Sequence, residues 1–385
     1  MSRLEIVDTG IIYMNPDPAH GYVFASHPHP LQLSEQEFIC TYTRASGMCA
    51  ADANVALARS LDGGVTWAHE TFLHDKARDD RPYSYSDGYI ARLRDGRLVV
   101  LSMRADRSDP DKPFVSETGG LIENEPVLLF SSDSGNTWTD PLPIILPKGM
   151  VATPANPVME LEDGRWFAAF DRWHGYDEPR PKGPYKDRMF GLFSSDRGRT
   201  WGDMTVMANG QPDGQDFWHG KTIRLTDGSL YTLYQAADMN NEDGKRRFLP
   251  LHYAVTDGNS RNWPKPQPTS IPGQTNCPAE LGDGKLGAIY TCREAKQPGF
   301  MAVLSEDGGR TWDLDNQVRL WDAAGWTHIG FSRHDTFPRS RETMAFGAPA
   351  LMTTLNGDLY ASWWCTYASI THIRWARLRV VDLPP

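Results

Sequence analysis

The sequence predicts an all-β fold that closes on itself and is assembled from one repeated unit, on two observations. The first is an eight-residue word, Ser-x-Asp-x-Gly-x-Thr-Trp, spelled at residues 60–67, 131–138, 194–201 and 305–312. A worn fifth copy at 255–263 keeps Asp257 and Trp263 but carries one extra residue. The second is a hairpin signal, an Asp-Gly or Asn-Gly pair between two apolar runs, at Asp95-Gly96, Asp163-Gly164, Asp227-Gly228, Asp283-Gly284 and Asn356-Gly357. A turnless sixth version occupies residues 33–38. In the eight-residue word Asp and Gly provide a tight backbone, the hydroxyls bond local N–H groups, and Trp plugs the turn from beneath. Repetition from end to end argues for a single domain over residues 1–385. Aromatics at 11 %, with 28 Pro and 34 Gly, suit a turn-rich β protein with a substantial core.

These words resemble the Asp-boxes of the sialidase superfamily, and the resemblance spans nearly the whole chain. It implies a six-bladed β-propeller of the sialidase type, with one blade per hairpin, in which the box is a structural turn on the blade rim away from the catalytic face. Each blade then reads as an inner strand, the Asp-Gly turn, a second strand, a third strand and a box leading into a fourth. In order, the blades cover roughly residues 22–75, 85–145, 153–207, 217–270, 276–320 and 346–380. The sixth has no box, so its outer strand is expected from residues 4–13, closing the ring and removing an exposed edge. Four connections, 104–125, 171–188, 236–248 and 321–342, are too long and polar to be simple turns and are candidates for functional loops.

The formal charge of −10 argues against nucleic acid or an acidic membrane surface as partner. No apolar run is long enough to span a bilayer, and the N-terminus lacks the apolar segment of an export signal. Five scattered cysteines, Cys40, Cys49, Cys277, Cys292 and Cys365, read as reduced thiols and point to the cytoplasm. His27-Pro28-His29 offers no third ligand, so neither a metal nor a cofactor is expected.

Propeller topology places residues that open the inner strands and residues that close the second strands around one mouth. Eight residues before each turn stand His27, Asp87, Ala155, His219, Thr275 and Ala348. Nine residues after it stand Arg44, Arg104, Arg172, Ala236, Cys292 and Cys365, with Gln235 and Arg293 one position away. Tyr83, Tyr85, Asn156, Asp171, Trp218, Asn276 and Glu280 are neighbours on the same rim. Guanidinium groups clustered in an acidic protein point to an anionic ligand, because Arg offers a planar fork matched to a carboxylate. The alternative is that each Arg pairs with an acid such as Asp52, Asp171 or Glu294 and pins a loop. Asp52 and Asp87 are candidate proton donors, His27 and His219 candidate bases, and Tyr85 a candidate nucleophile or acid.

The stretch Phe38 to Arg44, with Asp52 in the loop beyond, resembles the first blade of sialidases, which implies an anion-binding Arg44 and a general acid at Asp52. Elsewhere the chain departs from that pattern. Ser26-His27-Pro28 replaces an Arg-Ile-Pro motif, His219 and Gln235 replace a glutamate and an arginine, and Phe346 and Gly347 stand where the nucleophilic tyrosine is expected. The expectation is therefore a sialidase-like glycoside hydrolase acting on a small anionic saccharide other than a strict sialoside. Arg44, Arg104, Arg172 and Arg293 would hold the acidic group, with His27, Asn156, Gln235 and Asn276 around it. Asp52 or Asp87 would protonate the leaving oxygen, His219 or Glu280 would activate water, and Tyr85 and Trp218 would stack on the sugar. One rival is β-elimination on a uronate by His27, His219 and Tyr85; another is a non-catalytic carbohydrate-binding propeller. The loop 326–341 is expected over the mouth, with Arg339 or Arg341 adding to anion binding.

Overall fold

The structure is a computed structural model that describes residues 2–240, 247–258, 261–293, 298–323, 346–367 and 370–382. The expected Glu294 and the loop 326–341 lie outside the described residues. In chain order, β1 (Ser2–Met14) precedes a first blade of β2 (Phe24–Gln32), β3 (Phe38–Ala45), β4 (Asn54–Ser60) and β5 (Ala68–Phe72). The second holds β6 (Tyr83–Arg92), β7 (Leu98–Asp106), β8 (Asn124–Ser131) and β9 (Leu142–Pro143). The third holds β10 (Val151–Pro154), β11 (Met159–Glu160), β12 (Trp166–Trp173), β13 (Met189–Ser194) and β14 (Gly202–Ala208). The fourth holds β15 (Gln215–Arg224), β16 (Leu230–Asp238), β17 (Arg247–Thr256) and β18 (Gln267–Pro268). The fifth holds β19 (Asn276–Gly282), β20 (Lys285–Cys292), β21 (Gly299–Ser305) and β22 (Val318–Asp322), and the sixth β23 (Phe346–Thr353), β24 (Leu359–Tyr367) and β25 (Ile370–Asp382).

Each group is an antiparallel sheet of consecutive strands, which is the all-β, six-bladed propeller that the repeats predict. The sixth sheet runs β1-β25-β24-β23, so the N-terminal strand supplies the missing outer strand, pairing from Ser2 opposite Asp382 to Met14 opposite His372. Among the described residues no helix is long and apolar enough to cross a membrane.

The four complete boxes fold alike. In the first, the Ser60 hydroxyl donates to Asp62 and accepts from the Gly64 N–H, the Thr66 hydroxyl and N–H donate to Asp62, and the Trp67 indole donates to the Gly64 carbonyl at 3.0 Å. The same bonds recur around Asp133, Asp196 and Asp307. Gly64 needs its freedom twice over, at φ +85° and with Tyr360 and Phe38 carbons 3.1 and 3.2 Å from where a Cβ would stand.

Backbone contacts cluster into two compact units. The first, Met1–Met48, Ala56–Thr71 and Pro268–Pro385, carries most of blade one and blades five and six. Its core is aromatic, with Phe300 against Trp363 at 5.5 Å and Tyr360 stacked on Trp375 at 5.2 Å. The second, Cys49–Val55 and Phe72–Gln267, carries blades two to four. Its core gathers Trp166, Phe170 and Phe190 between blades two and three, and Phe167, Phe217 and Tyr234 between three and four.

Candidate functional site

In four blades the pairing of the first two strands slips by one residue at a bulge, where two residues of the inner strand oppose one of the second, between Ser26 and His29, Ser86 and Tyr89, Trp218 and Lys221, and Gly347 and Ala350. The first bulge residue takes the left-handed conformation each time, with φ of 53° at His27, 58° at Asp87, 49° at His219 and 42° at Ala348. The position eight residues before the turn is thus a real structural repeat. A side chain other than glycine persists there only because its surroundings over-determine it, at a cost of about 1–3 kcal/mol, and such strain gathers at functional sites. The register also brings Tyr85 opposite Arg104, Ala152 opposite Arg172, Phe217 opposite Ala236 and Ala25 opposite Arg44, each at the opening end of its own blade. Glu280 does not share that end. It pairs with Leu286 beside the Asp283-Gly284 turn, about 13 Å along β19 from Asn276 at 3.3 Å per residue, because the strand runs away from the opening from its first residue.

In the second unit the His219 bulge is clamped from both sides. The buried Asn156 amide donates to the Gly220 carbonyl at 2.9 Å and accepts from the Thr222 N–H at 2.7 Å, which gives this residue a holding role. A Cβ on Gly220 would stand 2.7 Å from the Tyr234 ring, so glycine is required by close approach. The bulge presents His219 to Asp171, the third residue from the end of β12. Asp171 accepts from the His219 backbone N–H at 3.0 Å and meets its Nδ1 at 2.9 Å. The Asp171 side chain is 1 % exposed and that of His219 38 %. Burial alone would raise the Asp171 carboxyl; the charge and hydrogen bonds of His219, together with the nearby Arg188, outweigh it and hold the group below the usual carboxylate range. An ionised Asp171 accepts from Nδ1–H, which leaves the lone pair of the neutral ring on Nε2. This is the arrangement of an oriented general base.

Blade two holds a second polar cluster of the same unit. Arg104 donates through Nε to Glu125 at 2.7 Å, lies 4.4 Å from the Tyr83 ring centroid, and shares a hydrogen bond with the Tyr85 hydroxyl. Tyr85 is buried and donates to Asp79 at 2.8 Å, and Asp79 also meets His74 at 2.8 Å. Burial, then Asp79, pushes the Tyr85 phenol up, so its proton is firmly held. Arg172 is forked onto Asp187, with both oxygens 2.6 Å from Nη1. Trp218 and Gln235 are buried, Asp87 is half-buried at its bulge, and Asp52 is exposed near Lys76, whose ammonium caps the Ala51 and Ala53 carbonyls. Acids do pair with Arg104 and Arg172, but they are Glu125 and Asp187, which sequence proximity did not single out. Asp171 is not an arginine's partner here but the orienting group of His219.

In the first unit His27 Nδ1 meets the Ser26 hydroxyl at 2.9 Å, and Arg44 lies 5.9 Å from the Tyr13 ring centroid. Arg293, buried, donates to Gln274 at 3.1 Å and to the Phe346 carbonyl at 2.7 Å. Asn276 is fully buried and donates to the Gln274 carbonyl at 3.4 Å. Among the described residues no group of three or more His, Cys, Asp or Glu side chains is placed to hold a metal ion.

The profile of the BNR repeat-like domain matches residues 36–313, most of the chain. The chain belongs to the BNR repeat-like family. No curated protein matches the sequence. Among solved structures, a protein of unknown function from Dyadobacter fermentans superposes with a TM-score of 0.70 at 16 % identity, over 98 % of this chain and 99 % of that one. An intramolecular trans-sialidase from Ruminococcus gnavus, solved with oseltamivir carboxylate, gives 0.59 at 13 % identity over 95 % and 96 %. A leech intramolecular trans-sialidase, solved with 2,7-anhydro-Neu5Ac, gives 0.59 at 13 % identity over 98 % and 70 %. At these identities the likeness establishes the fold alone.

Within the BNR repeat-like family this chain's sixth blade has a physical reason to lack a side chain at Gly347. A Cβ there would lie 2.8 Å from Arg293 Nη2 and 3.2 Å from the Trp364 indole nitrogen. The space in which a larger residue would stand is filled by the guanidinium that reaches the Phe346 carbonyl.

Proposed function

We propose that the chain is a carbohydrate-active enzyme that cleaves a glycosidic bond in a small anionic saccharide, with His219 as its general base. The observation that carries this reading is the strained, half-exposed His219 whose Nδ1 is bound by the buried Asp171. The superfamily fold supports a carbohydrate-related function, and the similar R. gnavus structure is an intramolecular trans-sialidase. In hydrolysis, Nε2 takes a proton from the water that attacks the anomeric carbon. Asp87, on the equivalent bulge of blade two, protonates the leaving oxygen, and Arg104 and Arg172, each already paired with a carboxylate, donate hydrogen bonds to the saccharide. A positioned base of this kind contributes about 10²–10⁴-fold to rate.

The same dyad favours a second reading, β-elimination on a uronate, because an oriented imidazole is suited to removing the carbon-bound proton while guanidinium groups neutralise the adjacent carboxylate. Incubation with sialosides, uronic-acid oligosaccharides and neutral glycosides separates the two. Hydrolysis releases sugar without new near-ultraviolet absorbance, whereas elimination produces an absorbing unsaturated product. Silence across the panel, with specific binding retained, would instead favour a binding propeller.

A further inference from the structure

The second unit carries a cleft of about 570 Å³, within the range of about 300–1,000 Å³ common to small-molecule sites. Its walls are Arg172 at the end of β12, the loop residues Pro184, Tyr185, Lys186 and Asp187, and Gln211 from the short turn before β15. The walls are fixed in place. The Tyr185 hydroxyl meets His174 Nδ1 at 3.1 Å, its ring lies 5.6 Å from the Arg172 guanidinium and 5.2 Å from that of Arg188, and the Gln211 amide donates to the Pro184 carbonyl at 3.1 Å.

The chemistry of the lining is specific. Arg172 donates through Nη1 to both oxygens of Asp187, which leaves its other N–H groups to donate and the remaining lone pairs of the carboxylate to accept, and this suits neighbouring hydroxyls that accept from one and donate to the other. Their charges compensate. Lys186, exposed and without an acid partner among the described residues, leaves the cleft one positive charge, enough for one carboxylate. A bare oxyanion without hydroxyls would face Asp187 with nothing to donate. We infer that this cleft is a binding subsite for a carboxylated, hydroxyl-rich sugar residue of hexuronate size. The inference rests on the proposed saccharide-cleaving reading and names its substrate class. Arg172 follows directly on Asp171 in β12, with its side chain on the opposite face of the strand.

The test is calorimetric binding of D-galacturonate, D-galactose and inorganic phosphate to the full chain and to its Lys186→Ala, Asp187→Asn and Gln211→Ala variants. Galacturonate is expected to bind more tightly than galactose. Lys186→Ala, at an exposed position that does not endanger folding, should weaken galacturonate about fivefold and leave galactose unchanged, as befits a solvent-exposed ion pair. Asp187→Asn and Gln211→Ala should weaken both sugars. Absence of galacturonate binding, phosphate binding as well as galacturonate, or affinities indifferent to all three substitutions would overturn the subsite. Turnover followed in parallel keeps the two ideas apart. Cleft variants that change affinity in a protein without turnover retain the subsite and remove the enzyme. Turnover that is lost in His219→Ala while the cleft variants bind unchanged retains the enzyme and removes the subsite.

Discussion

At His219 a backbone choice decides a side chain's chemistry. The left-handed bulge residue turns both its N–H and its ring toward Asp171, so one buried carboxylate fixes position and tautomer together. Asp171→Asn keeps the shape but removes the charge that orients Nδ1–H. Steady-state kinetics on the cleaved saccharide should show a fall in turnover of about 10²–10⁴-fold with substrate affinity little changed, while an undiminished rate would reduce Asp171 to a structural anchor. Counting from the hairpin turns reached His219, Asp87 and His27, because a bulge at fixed distance from a turn is a local backbone property. It did not reveal that Asp171 faces His219, because that contact joins residues 48 apart in sequence, or that Tyr85 is buried on Asp79, because that contact depends on how the loop before β6 folds back. Glu280 was misplaced along its strand, since strand length alone separates the opening end from the turn end.

Among the elements, the Asp-box was the most legible, because the bonds that shape its turn lie within eight residues. Hydrogen bonds from the Thr66 hydroxyl and then Ser60 bring the Asp62 carboxyl down to about 2, and the threonine and serine of the corresponding boxes do the same for Asp133 and Asp196. A carboxyl depressed in the folded state from an ordinary value of about 3.9 stabilises fully above that pH and loses its contribution as pH falls toward 2. Thermal unfolding between pH 5 and pH 2, as round endpoints spanning that window, should therefore show a steep drop that is shallower in a variant with these three aspartates changed to asparagine. Parallel curves would mean that other carboxylates govern acid unfolding. The bulge and the box differ in this respect, since the box is readable from its letters and the bulge only from its spacing.

For the whole molecule, six hairpins and five boxes made the blade count readable, and the box-less last blade pointed to the N-terminal strand as its completion. What spacing could not supply was the packing that makes this pairing tight. Gly10 of β1 passes so close to β25 that a Cβ would meet the Trp375 indole nitrogen at 2.6 Å, and Trp375 is itself stacked on Tyr360 at 5.2 Å. Gly10→Ala should destabilise the protein by about 1–3 kcal/mol through this overpacking, read as a lower calorimetric Tm with altered tryptophan fluorescence. An unchanged Tm would show that β1 can shift without loss. The claim on which the functional account depends is that His219 works as a base on an anionic saccharide. Cleavage of the saccharide panel by the unmodified chain and by His219→Ala, side by side and with folding verified by circular dichroism, tests it most directly. The account predicts cleavage of at least one carboxylated substrate and a loss of about 10²-fold or more in the variant; no cleavage by the unmodified chain, or equal cleavage by both, would contradict it.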